Sequence, residues 1–150
     1  MTKRKSMLFE LCRSSIRQKI AHIQELIQEA QQSANEETKS SAGDKYETGR
    51  AMVQLEIEKY AAQLNELNKQ GSELEKISSA APHDKIGPAA VVETSNGNFF
   101  IAVNAGEFVV DGIKYFAVST HAPIAQKMIG LSKDDSFSIN GRAYRIISAE

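Results

Sequence analysis

The chain has 150 residues and a formal net charge of −1, from 18 Lys and Arg against 19 Asp and Glu, with 41% hydrophobic and 25% charged residues. The near-neutral balance argues against a general nucleic-acid coat or an acidic-lipid binder, and a single cysteine, Cys12, excludes an internal disulfide and an all-Cys metal site. No apolar run approaches the ~20 residues that cross a bilayer, and the basic start Lys3-Arg4-Lys5 leads into no signal-type apolar region because Glu10 and Arg13 interrupt it, so the expectation is a cytoplasmic protein without a membrane partner.

Phe9, Ile16, Ile23 and Ala30 recur every seven residues, with Ile20, Ile27 and Ala34 as a companion seam. The stretch 33–43 has no stripe. The pattern then resumes with Tyr46, Val53, Tyr60, Leu67 and Leu74, accompanied by Ile57 and Leu64. This spacing gives each of two long helices one narrow apolar stripe, which must be buried on something. The short break favours an antiparallel hairpin over separate helices. At ~1.5 Å per residue, helices of roughly 30 residues make a rod of roughly 45 Å. Its tip, near 36–47, is expected to project into solvent or into a partner.

Residues 79–85 are small and polar with one proline and read as a linker. Beyond them the composition changes: residues 81–150 hold seven of the ten aromatics and six of the nine glycines. Runs at 89–94, 98–104, 107–110, 113–119, 136–139 and 142–148 are β-branched and aromatic and read as strands. Asn96-Gly97, Asp111-Gly112 and Asn140-Gly141 predict type I′ hairpin turns, which need positive φ at both residues. Pro123 near the start and Gly130 past the end predict one short helix over 122–130, with Ile124, Met128 and Ile129 facing the sheet. The expected fold is α+β. An antiparallel two-helix coiled-coil hairpin occupies 1–78, and a small antiparallel β domain with one short helix occupies 86–150.

The start of the second helix carries the most informative chemistry. Asp44 and Glu47 are three apart and share the first turn. They suit a capping-box-like pair that also favours the helix dipole. They equally suit two carboxylates presented to a partner at the end of a rod, where Mg²⁺ would find the hard oxygen ligands it prefers. Two carboxylates alone hold Mg²⁺ weakly, so its other ligands would come from the partner. Lys45 and Arg50 stand beside the pair. They read as ordinary surface charge, Arg50 pairing with Glu47, or as contacts to phosphates or partner carboxylates.

Other features point away from a self-contained enzyme. Cys12 and His22 lie roughly 15 Å apart along one helix, too far to act as nucleophile and base. Cys12 borders the apolar stripe and reads as a small core residue. His22, His83 and His121 have no metal-ligand spacing, and neither phosphate-binding glycine motif occurs. Lys3, Arg4 and Lys5 read as a solvated end.

A long helical hairpin with an acidic tip, a linker and a small β domain resembles the Gre family of bacterial transcript-cleavage factors. At the tip the family pattern is Gly-Asp-Leu-x-Glu-Asn-x-Glu-Tyr, and Gly43, Asp44 and Glu47 match in place. The stretch from Ala122-Pro123-Ile124-Ala125 to Gly130 is similar to the family's Ser-Pro-Leu-Gly-x-Ala-Leu-Leu-Gly helix. Beyond that helix the family has Gly-Asp and two closing strands, and Lys133-Asp134-Asp135 with the runs 136–139 and 142–148 fits them. The segment Ile86-Gly87-Pro88-Ala89-Ala90-Val91-Val92 looks like the family's opening strand. The resemblance implies an FKBP-like second domain, without isomerase activity, docked at the rim of the secondary channel of RNA polymerase. It implies a monomer whose hairpin threads that channel. Asp44 and Glu47 would then hold an Mg²⁺ shared with the polymerase, which would hydrolyse its own backtracked RNA. The resemblance makes Asp44 and Glu47 catalytic only in that complex. It makes Lys45, Tyr46, Arg50, Pro123, Ile124 and Ala125 contacts to the polymerase, and it implies no cofactor for the protein alone.

The tip departs from the family at Lys45 for Leu, Thr48 for Asn, Arg50 for the second Glu and Ala51 for Tyr. Gly49 also loosens the first turns. The added cations oppose Mg²⁺ binding, to an extent screened by salt. A relative that occupies the channel without promoting cleavage would look much the same. Two other classes compete: a coiled-coil interaction or assembly module, which would be oligomeric, and a stand-alone enzyme in the β domain, which would need a clustered nucleophile and base.

Overall fold

A computed structural model of the chain describes the backbone of residues 2–40, 44–79 and 84–150, with the side chains of these except 37–40 and 44–47. The fold is α+β. Two long helices, α1 (Lys3–Ser40) and α2 (Asp44–Ser78), precede six strands and one short helix. No described helix is long and apolar enough to cross a membrane. The strands are β1 (Val91–Thr94), β2 (Gly97–Ala102), β3 (Gly106–Val110), β4 (Ile113–Ser119), β5 (Ser136–Ile139) and β6 (Arg142–Ala149). The short helix, α3 (Pro123–Met128), lies between β4 and β5. The chain divides into two compact units, one of residues Ile16–Lys69 and one of Met1–Ser15 with Gln70–Glu150.

The first unit is the helical arm. Ile16, Ile23 and Ala30 are buried, while Ile20, Ile27, Ala34, Val53, Ile57, Tyr60, Leu64 and Leu67 are half-buried. These are the heptad positions, and a stripe shared by only two helices leaves its edges partly wet. The two helices run antiparallel: the charge of Glu29 on α1 acts on the Tyr60 hydroxyl on α2, whereas Arg13, earlier on α1, meets Glu75, later on α2. The Tyr60 hydroxyl donates to Glu56 at 2.8 Å. That bond, with burial and the two carboxylates, pushes the phenol up from its ordinary pKa. α1 runs through the stripeless stretch to Ser40. Ala34, Glu36, Glu37 and Lys39 are strong helix formers and sustain it without a stripe.

The second unit combines the bases of both helices with the sheet. Leu8, Phe9, Cys12, Leu74 and Ile77 are 0–5% exposed. The strand order is β3-β4-β2-β1-β6-β5. Alternation along the strands gives two buried faces. Val92, Phe99, Ile101, Tyr144 and Ile146 pack with Ala125 and Met128 of α3. On the other face Phe100 meets Phe9 of α1 edge-on, with ring centroids 5.0 Å apart.

The sheet is not wholly antiparallel, contrary to expectation. β2 and β4 pair in parallel, Phe99 opposite Phe116 through Ala102 opposite Ser119. The Asp111-Gly112 turn makes β3 and β4 an antiparallel hairpin. β4 then fills the place between β3 and β2, which fixes its direction. Asp111 (φ 54°) with Gly112 (φ 77°) and Asn140 (φ 53°) with Gly141 (φ 77°) adopt the paired positive φ of the expected turns. The third turn differs, because Gly97 alone has positive φ (119°) and Ser95-Asn96 form the bend. The Thr94 hydroxyl donates to the Gly97 carbonyl at 2.6 Å and accepts the Asn96 N–H. The Asn96 amide donates to the Ala143 carbonyl at 2.6 Å. These side-chain bonds hold Asn96 out of the left-handed region.

Of the basic start of α1, Lys3 is exposed as expected, whereas Arg4 and Lys5 are half-buried and not solvated. Arg4 pairs with Glu93 of β1 at 2.7 Å and lies over the Tyr115 ring at 5.9 Å. Burial lowers the Lys5 pKa, opposed by the charge of Glu150. Basic residues at this level offset acids on the sheet face that the helix base covers.

Burial also raises the pKa of Tyr115, which is 0% exposed, against the opposing charge of Arg4 and with the help of Glu93. The folded chain therefore holds that proton above the ordinary value of 10.0. Its contribution to stability is full below that pH and is lost as pH rises through the folded pKa. Lys5 acts in the opposite sense in the alkaline range, since its folded pKa lies below 10.5. Tyr115→Phe keeps the ring and removes the titration. Its melting temperature, followed from pH 8 to 11, is expected to fall less steeply than that of the parent chain. An equal slope would show that the Tyr115 proton is not linked to folding.

Candidate functional site

Two places carry the residues singled out by sequence. At the first, α1 ends at Ser40 and α2 starts at Asp44. The backbone of Asp44, Lys45, Tyr46 and Glu47 forms the first turn of α2, while their side chains lie outside the described part of the structure. Gly43 and the expected Gly43-Asp44 junction lie outside the described residues as well, as does His83. Arg50, the next charged residue, is exposed, and Gly49 lies within α2 as a half-buried position.

Two further residues on this part of α2 were not singled out by sequence. Met52 is 67% exposed and Leu55 is 66% exposed. The signal was present: both are large apolar residues off the heptad stripe, three apart and on the outward side of Val53 and Ile57. Such a pair contributes little to the fold from this position.

At the second place, α3, the structure separates the three residues that the family resemblance put together. Pro123 is exposed at the helix start, and Ile124 is half-buried against the core of the sheet. Ala125 is 0% exposed. Its assignment as a partner contact is corrected on that ground, because its methyl group faces the sheet and cannot touch a partner. The exposed side of α3 consists of Pro123, Gln126 and Lys127. Their i, i+3, i+4 spacing is complementary to the buried Ala125 and Met128. The helix is fixed at both ends. Gln126 donates from its side chain to the Thr120 carbonyl at 2.6 Å. Gly130 turns the chain at φ 92°, and its N–H donates to the Ile86 carbonyl at 2.8 Å.

The remaining candidates sit apart from these places. Cys12 is buried at the base of α1, and His22 and His121 are exposed. Among the described residues, no group of three His, Cys, Asp or Glu side chains could hold a metal ion. No protein-family model and no curated protein matches the chain.

Proposed function

We propose that this protein is a Gre-like transcription elongation factor that binds RNA polymerase through its secondary channel and acts on backtracked RNA. The observation that carries the reading is the start of α2 at Asp44. It places the backbone of Asp44 and Glu47 in the first turn of a 35-residue helix, directly after the chain reverses from a 38-residue one. A carboxylate pair at that point suits a long, thin element that reaches into a partner. Two carboxylates also suit Mg²⁺ in kind, since it takes hard oxygen ligands, and the others it requires would come from the polymerase and water. When bound, such an ion lowers the pKa of an attacking water and offsets charge on the leaving oxygen. The chain's own part would be to supply Asp44 and Glu47 from the start of α2. The exposed side of α3, with Pro123 and Lys127 and with Ile124 at its margin, would meet the channel rim. The protein would be a cytoplasmic monomer and would not turn over RNA alone.

Two observations support narrower readings. Lys45 and Arg50 place two cations beside the pair, which favours a channel-occupying regulator that leaves cleavage unstimulated. The exposed Met52 and Leu55 favour a coiled-coil interaction module, where a partner helix covers them. One experiment sorts the three. The protein is added to RNA polymerase halted in a backtracked complex with 3′-labelled RNA and Mg²⁺. Release of short 3′ fragments is the expected result. Binding without release would replace the cleavage factor with the regulator, and neither binding nor release, with a dimeric mass in solution, would replace both with the interaction module.

A further inference from the structure

The companion seam of the hairpin stops on both helices toward the same end, the two stops lying little more than about one turn apart. On α2 it runs through Ile57 and Leu64, both half-buried, and the next position is Gly71, which has no side chain to offer. On α1 it runs back through Ile27 and Ile20 to Arg13, whose guanidinium turns to Glu75 at 2.6 Å and to Glu10. The chain divides into its two compact units at this level, between Ser15 and Ile16 on α1 and between Lys69 and Gln70 on α2.

Helix propensity falls at the same place. Glycine is the poorest helix former short of proline, and Asn68 and Ser72 on either side of it are weak ones. Lys69 and Ser72 are exposed and Gln70 and Gly71 half-buried, and none of the four carries a large apolar side chain, so opening the backbone here uncovers little apolar surface. Just beyond, Leu74 and Ile77 are 0% and 5% exposed and hold the last turns of α2 within the second unit. A helix with weak propensity, a seam position without a side chain and firm packing on one side opens first at the weak point.

We propose that α2 opens locally over residues 69–72, so that its 35 residues behave as two cooperative segments rather than one. Gly71 and the interrupted seam are its cause, and the opening holds or fails independently of any polymerase partner.

Backbone hydrogen exchange of the full chain tests it. The amides of 69–73 are expected to exchange about tenfold faster than those of 60–66 and 74–77. Gly71→Ala is expected to slow them about fivefold, the difference between glycine and alanine in a helix interior, and to leave 60–66 unchanged. Ala61→Gly, at an exposed position of the arm, is expected to create a second fast segment around 59–63, which shows that the measurement resolves local opening. Equal exchange along α2, or no change in Gly71→Ala, overturns the proposal. So does a lower melting temperature for Gly71→Ala, because that outcome would make Gly71 a close-packing residue rather than a weak point.

Discussion

Asp44→Asn combined with Glu47→Gln is expected to lower stimulated RNA cleavage about a hundredfold or more, the scale of losing a preorganised electrostatic group at a reacting centre. Binding to the polymerase is expected to change little. The choice of amides matters. Asparagine caps a helix as well as aspartate does, whereas alanine forfeits roughly 1 kcal/mol. The double amide variant therefore keeps the helix start and removes only the charge that Mg²⁺ requires. If the pair were a cap and nothing more, the variant would be fully active. If instead binding to the polymerase were lost, the pair would be an anchor and not part of the chemistry. A second variant separates the cleavage factor from the regulator. Lys45→Leu with Arg50→Glu restores the charge pattern of the Gre tip. It is expected to raise the cleavage rate, because two cations no longer oppose the metal. An unchanged rate would show that solvent already screens them, as it screens exposed charges generally.

Parts of this architecture are written locally in the chain, and those parts are legible. β4 and β5 have the bounds that the sequence implies, because Asp111-Gly112 and Asn140-Gly141 fix where each hairpin turns. The arm is legible because its core is a repeat: Ile16, Ile23 and Ala30 are buried at seven-residue spacing. α3 is legible from Pro123 and Gly130, which mark its start and its exit. What depends on distant partners is not legible. Nothing near β2 states that Phe99 will lie opposite Phe116 on a parallel neighbour. Arg4 belongs to a basic run that looks like a solvated end until Glu93, 89 residues on, is placed beside it. Ala125 carries too small a side chain to announce that it is buried. Asn96 looks like the other turn asparagine, Asn140, and differs because Thr94 and Ala143 hold it. The acidic pair is legible as a pair from its spacing, and its place at the start of α2 comes from the helix pattern. On the proposed reading its partner would lie in another molecule, which no pattern within this chain would encode.

Phe9→Ala is expected to cost about 3–5 kcal/mol, the range for removing a buried aromatic ring, and to lower the melting temperature by about 10 °C. Phe9 is 1% exposed and stands edge-on to Phe100, which is 0% exposed. Arg13 covers its ring at 5.8 Å while pairing with Glu75 of α2. One side chain thus joins the base of α1, the sheet face and, through Arg13, the base of α2. Its loss opens a cavity that three elements border, and none of them can collapse into it without moving the others. Phe9→Leu keeps most of the volume and is expected to cost less than about 1.5 kcal/mol. Leu55→Ala is the comparison at the other extreme. Leu55 is 66% exposed, so its truncation is expected to shift stability by less than about 0.5 kcal/mol. Urea unfolding followed by circular dichroism measures all three. A cost below about 1 kcal/mol for Phe9→Ala would mean that the base of α1 is not part of the sheet's core. A large cost for Leu55→Ala would mean that its exposed face is covered in solution, which is the behaviour of the interaction module and not of a monomer that reaches into a channel.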